Sequence, residues 1–471
     1  MATSASNLRN TGDRVVRTLG RLIAKAWFRS IETEGTERIS LDRPVLICAN
    51  HANGFVDPVL IVAASPRPVR FLAKSTLWKF KPLGPILNLA GVLPVYRRQD
   101  GATAGNVNTF AACDAELAAD GAVGLFPEGT INDTLKLLPL KTGAARIALG
   151  ARAAGAEALR IVPVGLLYED KAAPRTRVLV RVGEPIDLDD VWAEIVLPGE
   201  SAGADNHAAV ERLTAMITRV LDDAYVSYDD EASLHHVETA ARVALRAPGA
   251  DPSHAVPMAR VEPVARRLSA LPPEQLAPVL EATATYSSQL DLLRLEDRDV
   301  VPGNTLPRLR TSLNRSATAI VLLGIPAAVG AGVNLPPYAA VRLVSRRPTS
   351  RASRATILML ASLVAYPATW IGWGLLAKRR LQHPWRATFV AGPLCGYATV
   401  ACWEQIDRVR RAKLQWRRVT RSSGDVLDGL REQRAAVVDA VTEALGAPAR
   451  SVSSTVVQGP WPTPAAQPAQ P

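Results

Sequence analysis

VLICANHANGFVDPVLIVAA, residues 45–64, runs from one apolar stretch through a polar turn into another. Val45–Ala49 has no polar side chain beyond a thiol, as expected of a strand buried on both faces of a sheet. Val59–Ala64 suits a helix lying on that sheet. Between them, Asn53-Gly54 supplies residues that tolerate a tight turn. His51 and Asp57 flank that turn. Six steps along one continuous helix rotate about 600°, which would put the two side chains on different faces. They meet only if the backbone bends between them. A histidine whose carboxylate partner fixes its tautomer is a general base; without that function, the same pair is an ordinary surface or core hydrogen bond.

The alternation continues on both sides. Arg70–Ala73, Val92–Tyr96, Val123–Phe126, Ile161–Val164 and Val178–Val182 read as strands, with Thr109–Ala119 and Thr142–Ala153 as helices between them. This pattern predicts an α/β domain over residues 32–190, its sheet covered by helices.

Three strand ends carry chemistry. Gly91-Val92-Leu93-Pro94-Val95-Tyr96-Arg97 sets a permanent forked cation at a sheet edge, suited either to a phosphate monoester or to plain solvation. Leu125-Phe126-Pro127-Glu128-Gly129-Thr130 combines a glycine, which permits close approach, with side chains that accept from or donate to a polyol. Its glycine spacing is not that of a P-loop. Lys141 and Gly143 follow as candidates to close the same pocket. Ile161-Val162-Pro163-Val164-Gly165 reads first as a core strand that shapes the site.

In this order, NHANGFVDP, GVLPVYR, LFPEGT and IVPVG resemble the four motifs of the glycerolipid acyltransferases, the family of glycerol-3-phosphate and 1-acylglycerol-3-phosphate acyltransferases. The likeness covers about residues 32–187. Five residues separate His51 from Asp57 where the family commonly has four, which resembles an NHPN-x-x-x-DP sub-group. The third motif ends in Thr130-Ile131-Asn132 where Thr-x-Ser is commoner. The resemblance implies a mixed sheet covered by helices, glycerol-3-phosphate acyltransferase-like. It also implies that His51 is the general base and Asp57 its orienting partner. Arg97 would hold an acceptor phosphate, and Glu128, Gly129 and Thr130, with Asn53 and Lys141, would bind the rest of the acceptor. Pro163 would line the acyl side. The implied reaction moves a fatty acyl group from acyl-CoA or acyl carrier protein, as co-substrate, to 1-acylglycerol 3-phosphate. Glycerol 3-phosphate or another lysolipid is the alternative acceptor, and a non-catalytic lipid-binding protein the alternative class. No metal and no cofactor are implied. Cys48 alternates with apolar positions and reads as core.

The rest of the chain points to a membrane. The net charge is +11 and aromatics make up only 5%, while the basic clusters flank apolar runs. That favours an anionic bilayer as partner over nucleic acid. Cys48, Cys113, Cys395 and Cys402 form no disulfide framework, and no cleavable signal follows Met1, so a cytosolic catalytic face is expected. Within residues 1–31, the segment 14–29 predicts a basic amphipathic helix. It either packs on the core or, as preferred here, lies in the headgroup layer with Trp27-Phe28. Residues 191–312 read as helical. Residues 313–405 hold three uncharged stretches: Ser316–Val341, interrupted by Pro326, Asn334, Pro336 and Pro337; Ala355–Ala377; and Ala387–Trp403. The middle one spans about 35 Å as a helix. The preferred reading is a broken, re-entrant segment and then a helical hairpin; a set of soluble core helices is the alternative. A basic helical region at 406–446 and a disordered tail at 447–471 complete the expectation.

Overall fold

The apolar runs assemble into one eight-stranded mixed sheet. In the computed structural model, which describes residues 2–79, 83–96, 106–225, 231–246, 255–301, 306–346, 350–381, 386–421 and 424–452, the strands are β1 (Ser30–Glu34), β2 (Val45–Ala49), β3 (Arg70–Lys74), β4 (Leu93–Val95), β5 (Ala122–Leu125), β6 (Arg160–Tyr168), β7 (Arg177–Val182) and β8 (Ile186–Asp187). Their order is β1-β7-β6-β2-β5-β3-β4, with β8 on β6. β2 is central and parallel to β5 and β6; β3 is parallel to β5 and β4. β7 and β8 run antiparallel to β6. The strand ends at Ala49, Leu125 and Val95 therefore open on one edge of the sheet, where α/β proteins build their sites.

Two compact units are present: Met1–Ser227 with Ser350–Thr356, and Tyr228–Thr349 with Ile357–Thr455. The first contains the sheet and helices α1 (Ala2–Trp27), α2 (Val56–Ala64), α3 (Gly84–Leu89), α4 (Asn106–Ala118), α5 (Gly143–Ala153), α6 (Trp192–Ile195) and α7 (His207–Ala224). Leu46 and Cys48 of β2 join a core with α4, α5 and α7, and Val45, Ile47 and Ala49 on the opposite face are buried as well. This two-sided cover is why β2 reads as an unbroken apolar run. Pro163, mid-sheet, lies opposite the break between β7 and β8, where its missing N–H interrupts no ladder; its carbonyl accepts from Gly183 N–H (2.9 Å). At Gly165 an added Cβ would stand 2.2 Å from the Ala224 carbonyl, so the end of α7 rests directly on β6.

α1 differs from its expected placement. Gly20 and Ala24 bring it against α2, and Trp27 and Phe28 are buried rather than presented to a headgroup layer. Arg17 and Arg21 turn inward to bond Ser65 O and Ala63 O, the unsatisfied carbonyls ending α2. Among the described side chains that α1 leaves exposed are Val15, Leu19 and Leu22, beside Arg14 and Lys25.

The second unit contains α8 (Glu231–Leu245), α9 (Met258–Ser269), α10 (Pro273–Leu293), α11 (Asp297–Val300), α12 (Leu306–Ser345), most of α13 (Arg351–Leu381), α14 (Arg386–Arg421) and α15 (Gly424–Leu445). The stretch expected to break at Pro326, Pro336 and Pro337 is one continuous helix, α12. An apolar helix tolerates such prolines because a close neighbour supplies polar partners. Here Trp373 Nε1 of α13 donates to Val333 O (3.1 Å), the carbonyl that Pro337 leaves without its helical donor, and α14 lies close against the same helix: a Cβ on Gly330 would meet Cys395 O at 2.1 Å, and Thr399 Oγ1 donates to Ala327 O (2.9 Å). Asn334, buried amid apolar helix, donates to Gly330 O and accepts from Trp370 Nε1 (both 2.9 Å). Among the described residues, Leu313–Ser345 and Ser353–Arg379 are long and apolar enough to cross a membrane, and only 17% of each apolar window is buried within the protein.

Candidate active site

The first motif turns because Asn50 lets it. At the end of β2 its side chain takes over the ladder to β6, donating to Leu166 O (3.2 Å) and accepting from Leu166 N–H (2.7 Å). The main chain is then free to leave the sheet at His51. Asn53 N–H donates to Asp57 Oδ2 (2.7 Å) and Asp57 N–H donates back to Asn53 O (3.3 Å), which closes the turn into α2. The same Oδ2 lies 2.9 Å from His51 Nδ1. The bend inferred from sequence is present, and the pair meets. Asp57 stands in the first turn of α2, where the helix dipole favours a negative charge. Its other oxygen accepts from Tyr168 OH at 2.5 Å. Burial first, and then the Asp57 charge, push the Tyr168 hydroxyl well above its usual pKa, so it remains a donor. With Nδ1–H directed at Asp57, the ring's lone pair is at Nε2. Asp57 is fully buried, while His51 keeps 13% of its side chain exposed.

The imidazole is wedged as well as bonded. Phe126 stacks on it with centroids 4.0 Å apart and planes inclined by 12°, and Phe71 stacks behind Phe126 at 5.6 Å. Gly124 makes room for this column, since a Cβ there would meet the Phe71 ring at 2.8 Å.

Glu128 is placed differently from expectation. Both of its oxygens are held by protein donors: His51 N–H to Oε1 (2.7 Å), and Asn132 Nδ2 (2.8 Å) with Leu138 N–H (3.2 Å) to Oε2. It anchors the backbone of the histidine and the 132–138 loop rather than facing outward for a polyol. Burial raises its pKa, against the lowering effect of those three donors. Asn132 completes the link by donating its own N–H to His51 O (2.7 Å), and Lys171 Nζ bonds Asn132 O (2.8 Å).

The other predicted residues divide. Gly129 takes a positive φ of 69°, and a Cβ there would overlap Lys141 Cδ and Nζ at 2.8 Å; glycine lets this lysine lie across the turn. Thr130 and Lys141 are exposed on the same turn. The Asn53 side chain is buried beneath the turn, and its main-chain N–H makes the contact with Asp57. Pro163 is buried in the sheet. Arg97 lies outside the described residues, which stop at Tyr96, itself pinned by Asn106 (2.9 and 2.6 Å). Cys48 is fully buried and its thiol is pushed up to about 12 by burial, which suits core rather than nucleophile. Sequence reading gives no role to Tyr168 or Asn132. The one available signal for Tyr168 was a hydroxyl closing an otherwise apolar run.

Residues 30–167 match the family model described as Acyltransferase. The chain is 41% identical over 91 residues to Glycerol-3-phosphate O-acyltransferase 2 of Saccharomyces cerevisiae, covering 19% of this chain and 12% of that protein. It is 32% identical over 182 residues to the 1-acyl-sn-glycerol-3-phosphate acyltransferase of Cocos nucifera, covering 37% of this chain and 55% of that one. A lyso-ornithine lipid O-acyltransferase of Brucella abortus is 31% identical over 151 residues, covering 31% and 53% respectively. The chain thus spans only part of the length of each of these relatives. The resemblance to glycerolipid acyltransferases drawn from the four motifs is borne out at the level of the family; these matches do not address the five-residue sub-group.

Proposed function

We propose that this chain is an O-acyltransferase that moves a fatty acyl group from an acyl thioester, acyl-CoA or acyl carrier protein, to the free hydroxyl of 1-acylglycerol 3-phosphate. The observation that carries the reading is His51 Nδ1 2.9 Å from the Oδ2 of a fully buried Asp57, in a histidine whose side chain keeps 13% of its surface exposed. His51 Nε2 takes the hydroxyl proton as the oxygen attacks the thioester carbonyl. The tetrahedral intermediate collapses, the carbon–sulfur bond breaks, and the imidazolium returns its proton to the leaving thiolate. Asp57 stabilises the imidazolium meanwhile. No acyl-enzyme, metal or cofactor enters this scheme.

Arg97 is assigned to the acceptor phosphate. β4, which precedes it, is three strands from β2, about 14 Å across the sheet. Exposed Lys141 adds a second cation on the Gly129 turn. The acyl chain gives the membrane parts their purpose. Each methylene is worth about 0.8 kcal/mol, so a substrate left in the bilayer avoids a large extraction cost. Leu313–Ser345 and Ser353–Arg379 would anchor the chain with its catalytic domain on the cytosolic face, and the outward row Val15, Leu19 and Leu22 would touch lipid.

The test is transfer from labelled acyl-CoA to glycerol 3-phosphate, to its 1-acyl derivative and to a lyso-ornithine lipid, with His51→Ala as control. The 1-acyl derivative should give the highest kcat/KM, and His51→Ala should lose activity while still folding. An active His51→Ala enzyme rejects the mechanism, and a preference for glycerol 3-phosphate replaces the acceptor. Arg97→Ala should raise KM for the phosphorylated acceptor about tenfold and leave the donor KM unchanged; equal effects on both would remove Arg97 from the phosphate.

A further inference from the structure

The turn between His51 and Asp57 is not closed by its own segment alone. Phe55, the N-cap residue of α2, donates its N–H to Thr356 Oγ1 at 3.1 Å. Thr356 is about three hundred residues further along the chain, in the first turns of α13, and belongs with Ser350–Thr356 to the same compact unit as the sheet. The fit is steric as well as polar. A Cβ on Gly54 would approach Thr356 Oγ1 and Ile131 Cδ1, both at 3.1 Å, so the turn is confined between the Glu128-bearing motif and this threonine.

The start of α2 explains why an outside acceptor is used. The first N–H groups of a helix have no partner within it. Asp57 N–H is answered by Asn53 O, and Pro58 has none to offer. Asp57 Oδ2 is already occupied by Asn53 N–H and His51 Nδ1, so it is not the acceptor of Phe55 N–H. The far end of α2 is fixed by Arg17 and Arg21 of α1. The helix carrying Asp57 is therefore held at its tail by α1 and at its head by Thr356.

We propose that Thr356 is a positioning residue of the acyl-transfer site: by accepting the Phe55 N–H it fixes the 52–55 turn and, through it, the angle at which Asp57 meets His51. This rests on the function proposed above. Thr356 touches neither reacting atom and acts through the backbone. Its loss lowers kcat, leaves substrate binding alone, and is repaired by any residue that restores a hydroxyl at that point.

The experiment compares full-length wild type, Thr356→Val and Thr356→Ser in the same detergent or vesicle preparation. Hydrogen–deuterium exchange of a peptide containing Phe55 reads the contact whether or not the acyl-transfer assignment holds. The Phe55 amide should exchange at least tenfold faster in Thr356→Val and at the wild-type rate in Thr356→Ser. Acyl transfer by the same samples should show kcat reduced about tenfold in the valine variant, KM for donor and acceptor within twofold, and the serine variant restored. Unchanged exchange in the valine variant overturns the proposal. So does faster exchange with unchanged kcat in an active enzyme, or a loss that appears in KM or that serine does not repair. A wild type inactive on every acceptor, with exchange as expected, would retire the acyl-transfer reading and with it the catalytic role of Thr356, leaving only the structural contact.

Discussion

Asp57 in the sheet domain and Asp297 in the helical unit are both enclosed carboxylates with a tyrosine hydroxyl on one oxygen, yet they are built for opposite ends. Asp57 takes Tyr168 OH and His51 Nδ1. Asp297 takes Tyr286 OH (3.1 Å), Arg434 Nε (2.9 Å) and Arg246 Nε (3.0 Å). Arg434 also donates to Val243 O and Arg246 O, joining α15, α8 and α11. An imidazole can give up its proton near neutral pH and has a second nitrogen to work with. A guanidinium stays protonated and spends its donors on fixed acceptors. The same carboxylate thus serves chemistry in one unit and cross-bracing in the other, and its partner decides which.

Swapping the response of the two sites would break the comparison. Asp57→Asn should cost about 10³-fold in kcat, because the amide no longer fixes the tautomer or stabilises the imidazolium, while the thermal midpoint stays close to wild type. Asp297→Ala should do the reverse. It removes the carboxylate that two enclosed guanidiniums share, at a cost of about 3–5 kcal/mol to the helical unit. Activity per folded molecule in the sheet domain should persist. Thermal unfolding and single-temperature kinetics on both variants check this together. A stable Asp297→Ala protein would mean that the bundle is held by its apolar core alone.

A finer comparison concerns the tyrosines. Tyr168→Phe leaves Asp57 its imidazole and Asn53 N–H but removes one donor from a buried carboxylate. A lost hydrogen bond to a charged group is worth about 1.5–3 kcal/mol, so kcat should fall at least about tenfold. If activity were unchanged, Tyr168 would be packing rather than part of the acid–base unit.

How much of this was legible follows from what each residue's neighbours are. β2 and the start of β6 were readable because burial on both faces leaves a continuous apolar run. β1 was missed because Ser30–Glu34 holds a single apolar residue, Ile31, and its Glu34 is matched by Arg181 across the ladder (2.9 Å). The His51–Asp57 bend could be argued from local geometry, since both residues and the glycine lie within one turn. Tyr168 and Thr356 could not, because their roles exist only once strands and helices distant in sequence converge. The arginines of α1 misled for a related reason: a helical wheel counts Arg17 and Arg21 as solvent-facing, whereas the open carbonyls at the end of α2 draw them inward. The prolines of α12 looked like breaks because a sequence does not show the helix lying alongside.

Glu128 extends the comparison to a third carboxylate, buried like Asp57 but held by two main-chain N–H groups and one amide rather than by a guanidinium or an imidazole. Burial raises its pKa above the ordinary 4.5 despite those donors. The sign of the consequence is fixed. Between the ordinary value, which the unfolded chain keeps, and the raised one, the folded chain retains a proton that the unfolded chain releases. Glu128's contribution to stability is therefore fully present below the ordinary value and is lost as pH rises through the raised one, by about 1.4 kcal/mol for each pH unit that separates the two. Glu128→Gln imitates the protonated acid and carries no such dependence. The two thermal midpoints should nearly coincide at pH 4, and the wild type should fall behind the glutamine variant as pH climbs toward 7. A wild type that instead gains on the variant would mean that the His51, Leu138 and Asn132 donors outweigh burial. Glu128 would then belong with Asp57 and Asp297, as an anion the fold is built to keep.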